Sequence, residues 1–424
     1  MKRKLYSELR TIYETTKADP HTFRITIKLK DLVDGGILRA AVDKTMERYP
    51  YFRVRMVAEG NEILFEENPA PVPVLHTHER ITLGSGQTEG HLLAFCYSWN
   101  RLYIDVFHGL TDGGGIYPLI RTLLYYYLSA LYGKAFSAEG IRLGGESVSP
   151  AEWEDPAERP LPVRERLTVP KWDKPAFQMA DVVPLTDDCT VYNLRIPEAE
   201  FMRFNISNDG SPATIVSLLL ARTIDALHPD ADRPPVVAMC VNQRKALRAP
   251  LAHQSLVGDV RLPYRRRMRE LPFSAQATCF RGMVTLQSDE DMVLNEIGAY
   301  QELMTRIAGM GTYQERRNAC VGRMETLSQS LTATVSYVGK ANFGDVEPYI
   351  QEFEVLPSTA LPSTHVPLTV EMSALHGYFF LNIMQYFRGE EYFTAFIRQL
   401  RENGIDYDVL NVSEARWAMM ELPF

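Results

Sequence analysis

Apolar and polar residues alternate along several short segments of the first third of the chain. Residues 21–30 read HTFRITIKLK, so that their apolar side chains share one face of an extended segment. Alternation of this kind predicts a half-buried β-strand. The same pattern predicts further strands over residues 51–57, 92–99 and 102–107, and a tight turn around Asn100 joins the last two.

Two helices are predicted within the same region. Asp34 precedes residues 37–49, where apolar residues recur at helical spacing, and Asp34 is predicted to cap that helix. Residues 116–132 form a second helix, in which leucine and tyrosine cover most of the circumference. An all-round apolar surface is expected of a largely buried helix.

The pattern breaks over residues 144–188, a charged stretch that contains seven prolines and little apolar periodicity. Proline fixes the backbone and removes a hydrogen-bond donor, so this stretch is interpreted as a crossover draped over the surface. It separates a predicted N-terminal lobe (residues 1–145) from a C-terminal lobe (residues 189–424), with residues 146–188 as the linker.

The second half repeats the mixture of strands and helices. Ser211-Pro212 begins a helix that runs to about Leu227, since proline is favoured at the first helical position. Strands are predicted over residues 189–196, 236–241, 331–338, 366–375 and 378–386, and helices over residues 289–307 and 390–403. The predicted fold class is α/β (α+β), with two lobes that each contain a mixed sheet and flanking helices.

Composition removes several classes of function. The 424 residues carry a formal net charge of −8 without long like-charge runs, which disfavours a nucleic-acid partner. The five cysteines include no CxxC pair, so neither a zinc knuckle nor a redox dithiol is predicted. The first twenty residues contain no apolar segment, and residues 123–132 are far shorter than the roughly 20 residues that span a bilayer. A cytoplasmic, monomeric protein is expected.

The segment that carries chemistry reads VFHGLTDGGG over residues 106–115. A strand ends at His108, a turn contains Asp112, and three glycines open the next helix. A histidine at the end of a strand can face a cavity while its backbone is held rigidly. Imidazole can accept a proton from a hydroxyl or amine near neutral pH. His108 is therefore predicted to be a general base.

A second constellation, Asn242-Gln243-Arg244, follows the apolar strand over residues 236–241. An arginine that emerges there can pair with a buried carboxylate, and Asp112 would need such a partner because an unpaired buried charge is costly. The alternative is an ordinary surface arginine after a strand.

Together, HxxxDG at His108 and NxR at Arg244 resemble the superfamily of coenzyme A-dependent acyltransferases. It includes chloramphenicol acetyltransferase, alcohol acetyltransferases, wax ester synthases, polyketide-associated acyltransferases and the condensation domains of nonribosomal peptide synthetases. Gly258-Asp259 stands where that group often has Gly-Asn, and Ser336-Tyr337-Val338-Gly339 where it often has Ser-Asn-x-x-Gly. Many relatives have HHxxxDG, whereas Phe107 occupies the first position here.

The resemblance implies a role for each matching residue. His108 would be the base, and Asp112 would orient the loop through an ion pair with Arg244 rather than act on substrate. Gly113 would admit close packing, and Asn242 would support Arg244. Ser336 and Tyr337 would border the oxyanion or the acceptor. The resemblance also implies two lobes that each resemble a chloramphenicol acetyltransferase subunit, with the active-site tunnel between them.

The predicted function is transfer of an acyl group, for example acetyl, from acyl-coenzyme A to a small alcohol or amine by direct attack. No GxSxG elbow or other nucleophile signature is present. No bound cofactor and no metal are predicted, and the thioester is a co-substrate. Two alternatives stay open. In the first, the donor is a phosphopantetheine thioester on an acyl carrier protein, as in peptide or polyketide assembly. In the second, the chain is a non-catalytic docking module. The basic segment Arg265–Arg269 is a further candidate for contact with coenzyme A phosphates.

Overall fold

The computed structural model describes residues 2–4, 9–17, 19–161, 169–358 and 366–423. Residues 162–168 of the predicted crossover lie outside the described residues. The strands are β1 (Lys2–Arg3), β2 (Thr22–Leu29), β3 (Val54–Glu59), β4 (Glu62–Glu67), β5 (Val74–His76), β6 (Leu93–Ser98), β7 (Arg101–Phe107), β8 (Leu185–Pro197), β9 (Val236–Asn242), β10 (Val257–Pro263), β11 (Ala333–Lys340), β12 (Ile350–Pro357), β13 (Leu368–Leu375), β14 (Tyr378–Phe387) and β15 (Asp408–Ala415). The helices are α1 (Leu9–Glu14), α2 (Gly35–Arg48), α3 (Gly113–Tyr132), α4 (Pro150–Trp153), α5 (Glu198–Ser207), α6 (Pro212–Leu227), α7 (Phe273–Gln287), α8 (Glu290–Ala308), α9 (Tyr313–Ser328) and α10 (Glu391–Glu402).

Two mixed sheets organise the molecule. A five-stranded sheet has the order β12-β2-β7-β6-β5, and a seven-stranded sheet has the order β10-β9-β11-β13-β14-β8-β15. A small sheet, β1-β4-β3, lies beside the first. The prediction of two lobes, each with a mixed sheet and flanking helices, is confirmed.

Each large sheet buries one apolar face under helices. The alternating residues Ile25 and Ile27 of β2 pack into a core with α2 and α3. Val370 and Met372 of β13 pack into a second core with α6 and α10. Burial of such faces supplies most of the stability of a sheet–helix layer.

Strand β12 joins the lobes. It lies in the second half of the sequence but pairs antiparallel with β2, with Phe353 opposite Ile27. It also contacts the second sheet, where Ser373 Oγ donates a hydrogen bond of 2.7 Å to the Phe353 carbonyl oxygen. The two sheets therefore do not separate at a single point in the sequence. The proposed domain boundary at residues 146–188 stays a prediction.

The crossover that was expected to lie on the surface is anchored instead by a buried carboxylate. Glu152 in α4 is only 3% exposed. It accepts hydrogen bonds from Arg48 at 2.9 and 3.1 Å and from Arg142 at 3.0 Å. These two guanidinium groups neutralise the carboxylate and satisfy its oxygens, which makes its burial tolerable. Within the described ranges, no helix is long and apolar enough to cross a membrane.

Candidate active site

His108 directly follows the last residue of β7 and is held there by His21, the residue before β2, and by Phe23 of β2. Its main-chain N–H donates a hydrogen bond of 2.8 Å to the carbonyl oxygen of His21. Its ring meets the Phe23 ring edge-on, with 5.2 Å between centroids. The residue as a whole is half-buried. These contacts thus fix the backbone and the ring of His108 at the end of β7.

The surroundings of His108 favour the neutral imidazole. Burial lowers the pKa of His108 below the ordinary value of 6.5. A ring hydrogen bond to its own carbonyl group and the nearby Asp112 raise this pKa, but by less than burial lowers it. A ring N–H that donates to the carbonyl leaves the other ring nitrogen unprotonated. That nitrogen can accept a proton at neutral pH, which is the requirement for a general base.

His21 is a second histidine at the site that sequence reasoning did not single out. Its ring lies 3.3 Å from the Thr15 hydroxyl, and burial together with the neighbouring His108 lowers its pKa to about 3. His21 therefore stays neutral beside His108. Its backbone has a positive φ of 43°, an uncommon conformation for a non-glycine residue. Only the pairing of Thr22 with Phe107 brings the two histidines together.

Asp112 is the cap of α3 and the partner of Arg244. Its Oδ1 accepts from the Gly115 main-chain N–H at 2.7 Å. Two parallel bonds of 2.9 and 2.7 Å join Arg244 Nη1 and Nη2 to the carboxylate. The main-chain N–H of Leu256 donates a fourth bond, also 2.9 Å. The carboxylate is thus occupied by protein donors, which suits a structural role rather than contact with substrate.

Arg244 is equally well satisfied. Its remaining donors bind the carbonyl oxygens of Ala252 at 3.1 Å and Gln254 at 2.7 Å. The Asn242 side chain accepts from the main-chain N–H of Arg244 at 2.9 Å. The arginine and Asp112 are 9% and 3% exposed. The two residues, 132 positions apart, form a buried bidentate pair beneath the loop that carries His108.

The three glycines at the start of α3 are packed unequally. A Cβ at Gly113 would lie 3.1 Å from the Val338 side chain, and one at Gly114 would lie 3.1 Å from Arg244 Nη1. At Gly115 a Cβ would overlap the carbonyl oxygen of His253. The sequence analysis singled out Gly113, whereas the closest approach is at Gly115. The run of three glycines was the available signal for it.

Gly115→Ala is expected to destabilise the protein by about 1–3 kcal/mol or more, because the obstructing atom belongs to the backbone and has little freedom to move. The control is Gly282→Ala in α7, where nothing lies within 4 Å of the added Cβ. Alanine there should be neutral or stabilise by up to about 1 kcal/mol. Chemical denaturation of both variants measures the difference. Equal stability of the two would contradict the close packing of Gly115.

The structure separates the two predicted oxyanion or acceptor residues. Ser336 Oγ donates a bond of 2.9 Å to Glu371, on the sheet face that also carries Val338. Tyr337 packs against Phe379 in the second core, with 6.0 Å between ring centroids. Successive strand residues point to opposite faces, so Tyr337 is turned away from the loop of His108. The structure therefore places Ser336, but not Tyr337, on the face that borders this loop.

Two other sequence features are explained by packing. Phe107 is fully buried in the first core, and a Cβ at Gly109 would overlap its ring. Phenylalanine thus fills a core position there.

Arg265 stacks over the Trp172 ring at 5.4 Å in a groove of about 310 Å³ that Lys174 also lines, whereas Arg269 pairs with Asp225 at 2.7 Å. Within the basic segment, the charge of Arg269 is thus compensated by Asp225.

Comparison with known proteins gives matches to solved structures. No protein-family model and no curated protein matches the sequence. TRI101 of F. sporotrichioides, complexed with coenzyme A and T-2, matches with a TM-score of 0.62, 12% identity and coverage of 96% of this chain and 99% of that chain. Polyketide synthase associated protein 5 from Mycobacterium tuberculosis matches with a TM-score of 0.60, 14% identity and coverage of 94% and 96%. The epimerization domain from the third module of tyrocidine synthetase B matches with a TM-score of 0.58, 10% identity and coverage of 95% and 96%.

Likeness at these identities establishes the fold. The chain has the two-lobed fold shared by coenzyme A-dependent acyltransferases and condensation domains, as the HxxxDG and NxR resemblance implied. Fold alone does not assign a reaction, so function must be argued from the site.

Proposed function

We propose that this chain is an acyltransferase that moves an acyl group from a coenzyme A thioester to the hydroxyl or amine of a small acceptor. The observation that carries the proposal is the geometry of His108. Its main chain is held by His21, the residue is half-buried with a lowered imidazole pKa, and its loop rests on the Asp112–Arg244 pair. A neutral imidazole held in this way is suited to act as a general base.

The mechanism is a direct transfer. His108 takes the proton of the acceptor O–H or N–H as the oxygen or nitrogen attacks the thioester carbonyl carbon. A tetrahedral oxyanion forms and collapses, the carbon–sulfur bond breaks, and the thiolate receives the proton from His108. The negative charge on the intermediate requires nearby hydrogen-bond donors. Ser336 is a proposed donor to this oxyanion. Its hydroxyl now donates to Glu371, so it would have to turn away from Glu371 to donate to the oxyanion.

Four of the five cysteines support attack by the acceptor rather than by the enzyme. Burial raises the pKa of Cys96, Cys189, Cys240 and Cys320 to about 12 each. A thiol with so high a pKa contains almost no thiolate at neutral pH, and the thiolate is the nucleophile. An acyl-cysteine intermediate at these positions is therefore not part of the proposal.

A carrier-bound donor is the second candidate. The likeness to the epimerization domain of tyrocidine synthetase B favours it, since the fold also occurs in peptide assembly. A phosphopantetheine thioester presents the same reacting carbon as coenzyme A, so the roles of His108, Asp112 and Arg244 would not change. The two donors differ in whether a carrier protein must dock.

Incubation with acyl-coenzyme A should release thiol only when an acceptor is present, because no covalent acyl-enzyme precedes transfer. The measurement is thiol release over a set of acyl chain lengths with pooled alcohols and amines. Intact mass spectrometry of the enzyme with acyl-coenzyme A alone should show no stoichiometric adduct. An acyl-cysteine or acyl-serine species that disappears on addition of acceptor would overturn the direct mechanism.

A further inference from the structure

The seven-stranded sheet carries polar residues on the face that is turned away from its helices. The register places Asp259 beside Cys240, Ser336 beside Glu371, and Glu371 beside Asn382. These five residues form a polar row across five adjacent strands. Polar side chains are rarely placed side by side in the middle of a sheet unless that face meets water, partners or a ligand.

Glu371 is the residue of this row whose charge and hydrogen-bond acceptors are least satisfied by protein partners. It is 4% exposed, and Ser336 donates to its Oε1 at 2.9 Å. Within the described ranges its Oε2 has no hydrogen-bond partner, and no lysine, arginine or histidine forms an ion pair with the carboxylate. Burial raises its pKa to about 8, against which only the Ser336 hydrogen bond acts. A buried carboxyl without a counter-charge is costly to ionise.

The polar row borders the space in front of the His108 loop. Cys240 and Ser336 are only half-buried although β9 and β11 are interior strands, so this part of the face is not covered. Val338, two residues beyond Ser336, faces Gly113 at the start of α3. Two residues along a strand span about 7 Å. Glu371 therefore stands one strand away from residues that border the loop.

The other side of Glu371 is closed. On β14, Asn382 Nδ2 donates to the carbonyl oxygen of Val355 in β12 at 3.3 Å, and its Oδ1 faces Asn193. On β13, Ser373 donates to the carbonyl oxygen of Phe353 in the same strand. Strand β12 thus covers the sheet on one side of Glu371, and the uncovered part begins at Ser336 and Cys240.

We propose that Glu371 binds a positively charged ammonium group of the acceptor, so that the acceptor is a diamine or an amino alcohol. The inference rests on the proposed acyltransfer and names the substrate class of the same site. An ammonium group supplies the counter-charge that the protein does not supply, and its compact set of three donors suits the free Oε2. The nucleophilic hydroxyl or second amine would then point towards His108.

The test compares two acceptors that differ only in charge. 4-Aminobutan-1-ol and pentan-1-ol have the same length, with an ammonium group in one where the other has a methyl group. The wild-type protein should transfer to the amino alcohol with the higher kcat/KM. Glu371→Gln should lower that value by about 10²-fold, mainly through KM, because it removes one partner of a buried charge pair. The readout is the ratio of kcat/KM for 4-aminobutan-1-ol to that for pentan-1-ol, because an effect of the substitution on the Ser336 hydrogen bond acts on both acceptors alike. This ratio should fall towards one in Glu371→Gln, since pentan-1-ol makes no charge pair.

Two further variants keep the result interpretable. Glu354→Gln removes another carboxyl of raised pKa, which is half-buried on β12 and is 3.5 Å from Asn193 Nδ2, and it should not change the preference. Glu371→Asp keeps the charge and should retain part of the preference. Melting temperatures check the fold. Equal kcat/KM for both acceptors, unaffected by Glu371→Gln, would overturn the cation site and leave the acyltransferase proposal standing.

Binding gives a readout that does not depend on transfer. Asp259, Cys240, Ser336 and Asn382 are the polar groups of the row around Glu371, and no basic group contributes to its pKa. With a pKa of about 8 the free carboxyl is largely protonated at pH 7, so binding of 4-aminobutan-1-ol should release close to one proton. Calorimetry in two buffers of different ionisation enthalpy measures that release, which should vanish in Glu371→Gln. Proton-coupled binding without transfer to any acceptor would support the cation site and overturn the acyltransferase proposal. No proton release in the wild-type protein would overturn the cation site.

Discussion

His108→Ala should lower the rate of acyl transfer by about 10²–10⁴-fold while the melting temperature stays close to that of the wild-type protein. The side chain is the proposed base, but its main-chain bond to His21 does not depend on the imidazole. The matched control is His78→Ala, which removes a histidine whose side chain is 70% exposed. The control should transfer acyl groups at the wild-type rate. Near-wild-type transfer by purified His108→Ala would remove this residue from the mechanism.

The dependence on pH follows from the lowered pKa of His108. Burial favours the neutral form, so the imidazole stays unprotonated as the pH falls from 7 to its ordinary pKa of 6.5. For an alcohol acceptor, kcat/KM should therefore remain on its plateau at pH 6.5 and decline only as the pH approaches the lower pKa of the folded protein. The pKa of His21 is lowered to about 3, so His21 stays neutral near pH 6.5 and should not contribute there. A decline that begins above pH 7 would contradict this environment for His108.

Asp112→Asn and Arg244→Met should each lower stability by about 3–5 kcal/mol, because each leaves one uncompensated charge in a buried position. Activity should fall with stability, since the loop that carries His108 rests on this pair. The double variant should be more stable than the sum of the two losses implies, because no lone charge remains. A double-mutant cycle on the free energies of unfolding measures the coupling.

The control for this cycle is an exposed pair with similar geometry. Arg195 and Asp408 are joined at 2.6 and 3.1 Å, but their side chains are 36% and 57% exposed. An exposed pair typically contributes about 0–1 kcal/mol, so Arg195→Met and Asp408→Asn should have small effects. A coupling below about 0.5 kcal/mol between Asp112 and Arg244 would mean that the pair does not support the loop.

The sequence alone was sufficient wherever structure depends on neighbouring residues. Alternation over residues 21–30 and 102–107 predicted β2 and β7. Asp34 caps α2 as predicted, by accepting from the Ile37 main-chain N–H at 2.9 Å. The HxxxDG and NxR motifs together identified the fold, and Asp112 and Arg244 do meet. Secondary-structure propensity, helix capping and motif spacing depend on residues close together in the sequence, so they can be predicted without a structure.

Some elements left no readable pattern. Strand β15 forms an edge of the seven-stranded sheet and its residues are mostly exposed, so its sequence shows no buried face. Helix α9 buries only Arg316 and Cys320, and its apolar residues give no clear stripe. Strand β12 was missed as well, and its partner β2 lies more than 300 residues away in the sequence. Segments that bury little, or that pair over such a distance, carry a weak local signal.

Only the tertiary structure decided which strand faces meet and in what register. Thr22 pairs with Phe107, which brings His21 beside His108, and a shift of one residue would turn every side chain of the strand to the other face. By the same alternation, the side chain of Tyr337 packs in the second core against Phe379, and Ser336 on the opposite face donates a hydrogen bond to Glu371. Alternation of apolar and polar residues predicts that a strand has two different faces. It does not predict which strand pairs with it or which surface covers each face. Those depend on how remote segments bury their apolar surface together, which no single segment of the sequence contains.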